Sequence, residues 1–99
     1  MKRSKIFISG PISGRPYKKA VIHFNAYALL VHQFGFEPVN PIRLCCPIWP
    51  WWRCMAVCLW HLLWCDAVLM LRGWDMSRGA RIEHKVAEIL GKVIMYEEV

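Results

Sequence analysis

Residues 66–84 read Asp66-Ala67-Val68-Leu69-Met70-Leu71-Arg72-Gly73-Trp74-Asp75-Met76-Ser77-Arg78-Gly79-Ala80-Arg81-Ile82-Glu83-His84. After its opening aspartate the run to Leu71 is apolar without alternation. That is the pattern of a strand buried on both faces inside a parallel sheet. Arg72 to Met76 breaks it as a turn. Ser77 then suits an N-cap, and Ile82, Val86, Ile89 and Leu90 follow at helical spacing, closed by Gly91.

The same strand-then-helix pattern extends in both directions. Lys5 to Ser9 is a short buried strand ended by Gly10-Pro11. Ala20, Phe24, Tyr27, Ala28, Val31 and Phe34 recur as one helical face, with Gly35 as C-cap. Phe36 to Asn40 is a weak strand whose Pro38 suits an edge. The segment 41–50 holds three prolines and is expected to be a loop. A helix over 51–64 and a last strand over 92–96 complete a β-α-β-α-β-α-β order. This predicts an α/β, Rossmann-like (flavodoxin-like) three-layer fold: a parallel sheet with helices on both faces and right-handed crossovers. Ligands in such sheets bind at the carboxyl ends of strands, where strand order reverses. The loops Ser9 to Arg15 and Arg72 to Gly79 meet that description.

The 99 residues predict a single domain over 1–99. Thirteen Lys and Arg against seven Asp and Glu leave a formal charge of +6, which favours an anionic partner. The basic start is followed by too short an apolar run for a signal peptide, so a cytoplasmic location is expected. The apolar stretch Trp49 to Leu71 nears membrane-span length, but Arg53, His61 and Asp66 interrupt it. It is read as a helix followed by a strand, and no membrane partner is expected. Five cysteines without a secretory signal argue against a disulfide framework and for small buried hydrophobes. Cys54 and Cys58 share a helix face near His61, yet the spacing fits no closed zinc pattern, so no metal or cofactor is expected. Six tryptophans exceed what a small core needs. The Trp-rich helix 51–64 is expected to make a homo-oligomer interface, while Trp74 or one of Trp49 to Trp52 is a candidate to stack on a nucleobase. Nothing resembles a nucleic-acid module, so nucleic acid is not an expected partner.

Two segments can carry chemistry. In Ser9-Gly10-Pro11-Ile12-Ser13-Gly14-Arg15, the glycines allow close backbone approach, Ser13 offers a hydroxyl and Arg15 a bidentate anion donor. The same loop also reads as an ordinary strand-to-helix turn. In the second segment, the amides behind Ser77 make an anion site at a helix N-terminus. Glu83 lies in the first two turns, where the helix dipole favours its ionised form. A carboxylate there can stabilise or trap an oxocarbenium-like sugar, or it can be a solvated helix residue. His84 reads as a proton partner or an exposed helix histidine, and Asp75 as a ribose contact or an Asx-turn.

Several blocks, taken in order, resemble a known family: Phe7 to Gly14, Phe24-Asn25, Val39-Asn40-Pro41, Cys65 to Val68, Gly73-Trp74 and Ser77 to His84. They are similar to a small bacterial and phage family of domains of unknown function, related to the nucleoside 2-deoxyribosyltransferase superfamily. The resemblance runs over almost the whole chain. It implies a transferase or a 2'-deoxynucleoside 5'-monophosphate N-glycosidase, with Glu83 as the key carboxylate; Asp66, which opens the buried strand, reads either as a second catalytic residue or as a cap on nearby backbone amides. It places a phosphate-binding serine at Ser77, where the transferases carry aspartate. It implies a nucleotide or nucleoside held by Gly10, Ser13, Gly14, Arg15, Trp74, Ser77 and Gly79. Two positions depart from the pattern. Cys58 stands where the enzymes have an aspartate that helps the base leave, and Phe7 where they often have a tyrosine. The departures keep open a second expectation, a catalytically weak nucleotide-binding or interaction domain. A third, a zinc- or nucleic-acid-binding module, would show itself by stoichiometric zinc or salt-sensitive oligonucleotide binding.

Overall fold

A computed structural model describes residues 3–12 and 14–97. The elements are β1 (Lys5–Ser9), α1 (Tyr17–Gln33), β2 (Glu37–Val39), α2 (Pro41–Leu44), α3 (Trp51–Leu63), β3 (Ala67–Met70), a 3-10 turn (Trp74–Met76), α4 (Arg78–Ile89) and β4 (Val93–Tyr96). The four strands form one all-parallel sheet in the order β2-β1-β3-β4. This is the flavodoxin-like arrangement expected. The chain leaves β1 for β2 on one side and returns to β3 on the other, so strand order reverses between β1 and β3.

Period-two alternation sorts the central strands onto two faces. Ile6, Ile8, Ala67 and Leu69, with Leu71 beyond β3, pack against Phe24 and Val31 of α1. Phe7, Val68 and Met70 pack against Cys58 and Leu62 of α3 and Ala80 and Ala87 of α4. The stretch 49–71 thus divides into a helix and a strand, and among the described residues no helix is long and apolar enough to cross a membrane.

Two local expectations are corrected. The segment 41–50 opens with the short helix α2, because Asn40 caps it. The Asn40 side chain accepts from the Ile42 N–H at 3.0 Å, and Pro41 takes the first helical position, where its missing N–H costs nothing. In α4 the buried residues are Ala80, Glu83 and Ala87, while Ile89 is 73% exposed. Ala80, Glu83 and Ala87 form the face against the sheet, with Val86 packed at its margin.

Gly10 is where two layers meet most tightly. A Cβ there would stand 2.8 Å from Leu71 Cβ and 3.3 Å from Phe24 Cζ. The substitution Gly10→Ala is therefore expected to lower unfolding stability by about 1–3 kcal/mol through overpacking, measured by urea denaturation. An unchanged midpoint would contradict that packing.

Candidate active site

The alternation that buries Phe7 places Ser9, two residues on, against the same helices at the carboxyl end of β1. Ser9 pairs in register with Met70, at the carboxyl end of β3. Its hydroxyl donates to Glu83 Oε1 at 2.5 Å, and both residues are buried. Glu83 rises from the second turn of α4, and Cys58 of α3 lines the same cavity beside the carboxyl.

Burial dominates the electrostatics. It pushes the Glu83 carboxyl up to about 7, against the partial relief of the Ser9 and Cys58 contacts. This corrects the expectation of a dipole-stabilised carboxylate, since the dipole acts within the first turn and Glu83 lies beyond it. Burial, and then the neighbouring Glu83 charge, push the Cys58 thiol up to about 12.

Glu83 forms the floor of a cavity of about 210 Å³. Gly10 and Ile12 form one wall, and Ser77, Gly79 and Ala80 another. The third wall comes from the α2–α3 connection and α3: Cys46, Pro47, Trp49, Trp51, Cys54, Met55 and Cys58. A second depression, of about 370 Å³, adjoins it through Trp51, Ser77 and Gly79 and reaches Gly14, Met76 and Arg78. Ser77 is the N-cap of α4 and accepts from the Ala80 N–H at 3.3 Å. The guanidiniums of Arg53 and Arg78 lie over the Trp49 and Trp51 rings at 4.2 and 4.5 Å.

Of the residues singled out in the sequence, Glu83, Gly10, Ser77 and Gly79 meet in the inner cavity, and Gly14 borders the outer depression. Others stand elsewhere. Asp66 lies at the amino end of β3, the opposite end of the sheet, where its carboxylate accepts from the Lys5 N–H at 2.9 Å. It ties β1 to β3 and has no access to Glu83. Arg15 turns toward α1, 3.1 Å from His23 Nδ1, within a network that continues to Glu97 and Tyr27. Trp74 stacks on His84 at 4.3 Å, and His84 meets the Tyr96 hydroxyl at 2.7 Å, outside both depressions. Asp75 is exposed and lines neither. Ser13 lies outside the described residues.

Sequence reading missed Ser9 as the partner of Glu83 and Cys45 as the partner of Cys54. The signal for Ser9 was present, since Phe7 and Ser9 share a strand face. The wall was legible in part, since Cys54 and Cys58 share a helix face, but Cys45 joins them only through the tertiary fold. Cys45 and Cys54 are joined as a disulfide, correcting the expectation of five unpaired thiols, and Cys58 stands beside them. The bond closes because the proline-rich turn brings the end of α2 back onto the first turn of α3.

Fold and site together define an all-parallel α/β protein with a buried carboxyl group over the carboxyl ends of its two central strands. A profile of the family described as a domain of unknown function (DUF4406) matches residues 4–96, and the chain belongs to that family. Five chains of solved structures match it. One, a 2-desoxiribosyltransferase from Leishmania mexicana, aligns with a TM-score of 0.71 at 21% identity over 94% of this chain. The present chain spans 63% of that protein's length, and the likeness is one of fold. No curated protein sequence matches the chain.

The raised Glu83 value has a consequence for stability. Between the unfolded value of 4.5 and the folded value of about 7, the folded chain binds more protons than the unfolded one. The contribution is thus fully present below pH 4.5 and is lost as pH rises through about 7. Glu83→Gln removes this penalty. It is expected to match wild type at pH 4.5 and to exceed it at pH 8 by on the order of 2–3 kcal/mol. Denaturation curves at the two pH values test this, and equal stability at both would place Glu83 in water.

Proposed function

We propose that this chain cleaves or transfers the N-glycosidic bond of a (deoxy)nucleoside 5'-monophosphate, with Glu83 as nucleophile or oxocarbenium stabiliser. One observation carries this: a buried carboxyl, oriented by Ser9 at the strand-order reversal, faces a cavity that adjoins the N-terminus of α4. The likeness in fold to a 2-desoxiribosyltransferase supports the same chemistry.

The 5'-phosphate fits the outer depression. The Arg78 and Gly79 amides precede the first helical hydrogen bond of α4, which runs from Arg81 N–H to Ser77 O at 3.0 Å. The Ser77 hydroxyl accepts from Ala80 and keeps a proton to donate, and Arg78 adds charge. Arg78 thereby takes the place first assigned to Arg15. The inner cavity is smaller than the ~300–1,000 Å³ usual for whole ligands, which suits the sugar, with the base against Trp49 and Trp51.

Attack of a Glu83 oxygen on the anomeric carbon forms a carboxylate ester as the C–N bond breaks, its electron pair leaving with the base. Water then hydrolyses the ester, or a second base accepts the sugar. Ser9 holds the attacking oxygen in place.

A second reading has its own observation. With its thiol pushed up to about 12, Cys58 is a poor proton donor to a departing base. The chain would then bind nucleotides with little turnover.

Free base released from a panel of ribo- and deoxynucleoside 5'-monophosphates, followed by chromatography, decides between them. Glu83→Ala is expected to lower release at least ~10³-fold. Ser77→Ala should raise KM for monophosphates about tenfold or more, the scale of one hydrogen bond to a charged group, and leave nucleosides unaffected. Nucleotide-induced thermal stabilisation without any release of base would favour the binding role. Release that survives Glu83→Ala would end the glutamate mechanism.

The partner expectation stays with this proposal. Trp52, Trp60 and Trp64 of α3 are 67, 60 and 65% exposed and suit a contact between copies of the chain. Sedimentation should show an oligomer that Trp60→Glu with Trp64→Glu dissociates; a wild-type monomer at micromolar concentration would refute the contact.

A further inference from the structure

The cavity wall opposite Ser77 holds a cluster of sulfur atoms whose grouping the chemistry above does not use. Cys54 and Cys58 lie one helical turn apart on α3, so their side chains share a face. Cys45, just after α2, reaches the same point from the other side. The Cys58 Sγ lies 3.8 Å from Cys45 Sγ and 3.9 Å from Cys54 Sγ. A metal bound by thiolates at about 2.3 Å in tetrahedral geometry needs sulfur–sulfur edges of about 3.8 Å. Two of the three edges already have that length, and the third is closed by the Cys45–Cys54 bond.

We propose that, when this disulfide is reduced, Cys45, Cys54 and Cys58 form a three-thiolate site for a divalent ion of the zinc type. The site lies on the wall of the Glu83 cavity, and its fourth coordination position opens toward that cavity. All three sulfurs lie within 4.8 Å of one another. Sulfur-only donors select thiophilic ions over magnesium or calcium, whose ligands are oxygens. Cys46 and Glu83 border the same space, which leaves room for water or a carboxylate oxygen in the fourth position.

The steps balance. Two equivalents of a small thiol reduce the Cys45–Cys54 bond to two thiols and leave as their own disulfide. The divalent ion then forms three metal–sulfur bonds as the three thiols release their protons to solvent. The site is therefore open only to the reduced chain, which couples metal occupancy to redox state.

The test uses the full chain, reduced with a small dithiol, desalted without oxygen and equilibrated with zinc sulfate. Elemental analysis should find one zinc per chain in reduced protein and none in air-oxidised protein. Cobalt(II) in place of zinc should give the thiolate-to-metal absorption of a tetrahedral sulfur site in the near ultraviolet. Cys45→Ser, Cys54→Ser and Cys58→Ser should each lose stoichiometric zinc and that absorption. Cys65→Ser should keep both, since Cys65 lies beyond the far end of α3 and bonds the His61 carbonyl. Circular dichroism of each variant identifies any that fail to fold, and the remaining members of the trio then carry the test. Reduced, folded wild type that retains no zinc would overturn the proposal. So would zinc that folded Cys45→Ser, Cys54→Ser and Cys58→Ser variants retain undiminished.

Discussion

The structure turns on a buried carboxyl group that must be satisfied at the end of a parallel sheet. Removing an ionisable group from water is costly unless hydrogen bonds replace the lost hydration. Here the Ser9 hydroxyl and the Cys58 contact do part of that work, and the remaining penalty appears as a carboxyl held near neutrality. Everything that brings Glu83 to this point serves the same arrangement. Ser77 sets the start of α4, Gly79 lets Trp51 and Met55 close over it, and Ala80 and Ala87 let the helix lie against the strands.

The two faces of the sheet divide the labour. Beneath α1 the contacts are aliphatic and aromatic, and Gly10 marks how closely Leu71 and Phe24 approach. At its rim, Arg15, His23, Tyr27 and Glu97 make a polar network, and Glu97 also accepts from the Arg72 N–H. This network pins the strand that follows α4 to the start of α1. The face beneath α3 and α4 is looser at its carboxyl end, and that is where the cavity opens. Arg15 therefore belongs to the support of the fold, while Arg78 faces the open side.

The cavity is asymmetric in character. Ser77, Gly79 and Arg78 offer amides, a hydroxyl and charge. The opposite wall offers indole rings and sulfur. On the proposed reading the first side takes the phosphate and the second the base, with the Glu83 carboxyl between them. The sulfur cluster adds an element that a nucleotide site does not require. Of its members, Cys58 holds the position where the resemblance implies an aspartate in related enzymes.

Sequence alone determined the element order, the parallel sheet and the loops at its carboxyl ends. These follow from local information: unbroken apolar runs, helical spacing, and glycines and prolines at the breaks. It also singled out Glu83 and Ser77, because a capped helix after a buried strand places them at a strand end. Tertiary structure alone decided which neighbours they meet. Asp66 and Glu83 both flank β3 but lie at opposite ends of the sheet, and only the packing shows that Asp66 commits its carboxylate to the Lys5 N–H. Arg15 and Trp74 sit in the expected loops but turn to His23 and His84, since side-chain direction is set by contacts with distant elements. Ser9 and the cysteines enter the site because register and a proline-rich turn bring together residues up to 74 positions apart in the chain. Local patterning fixes which groups can form elements; only close packing between distant elements decides which of them share a site.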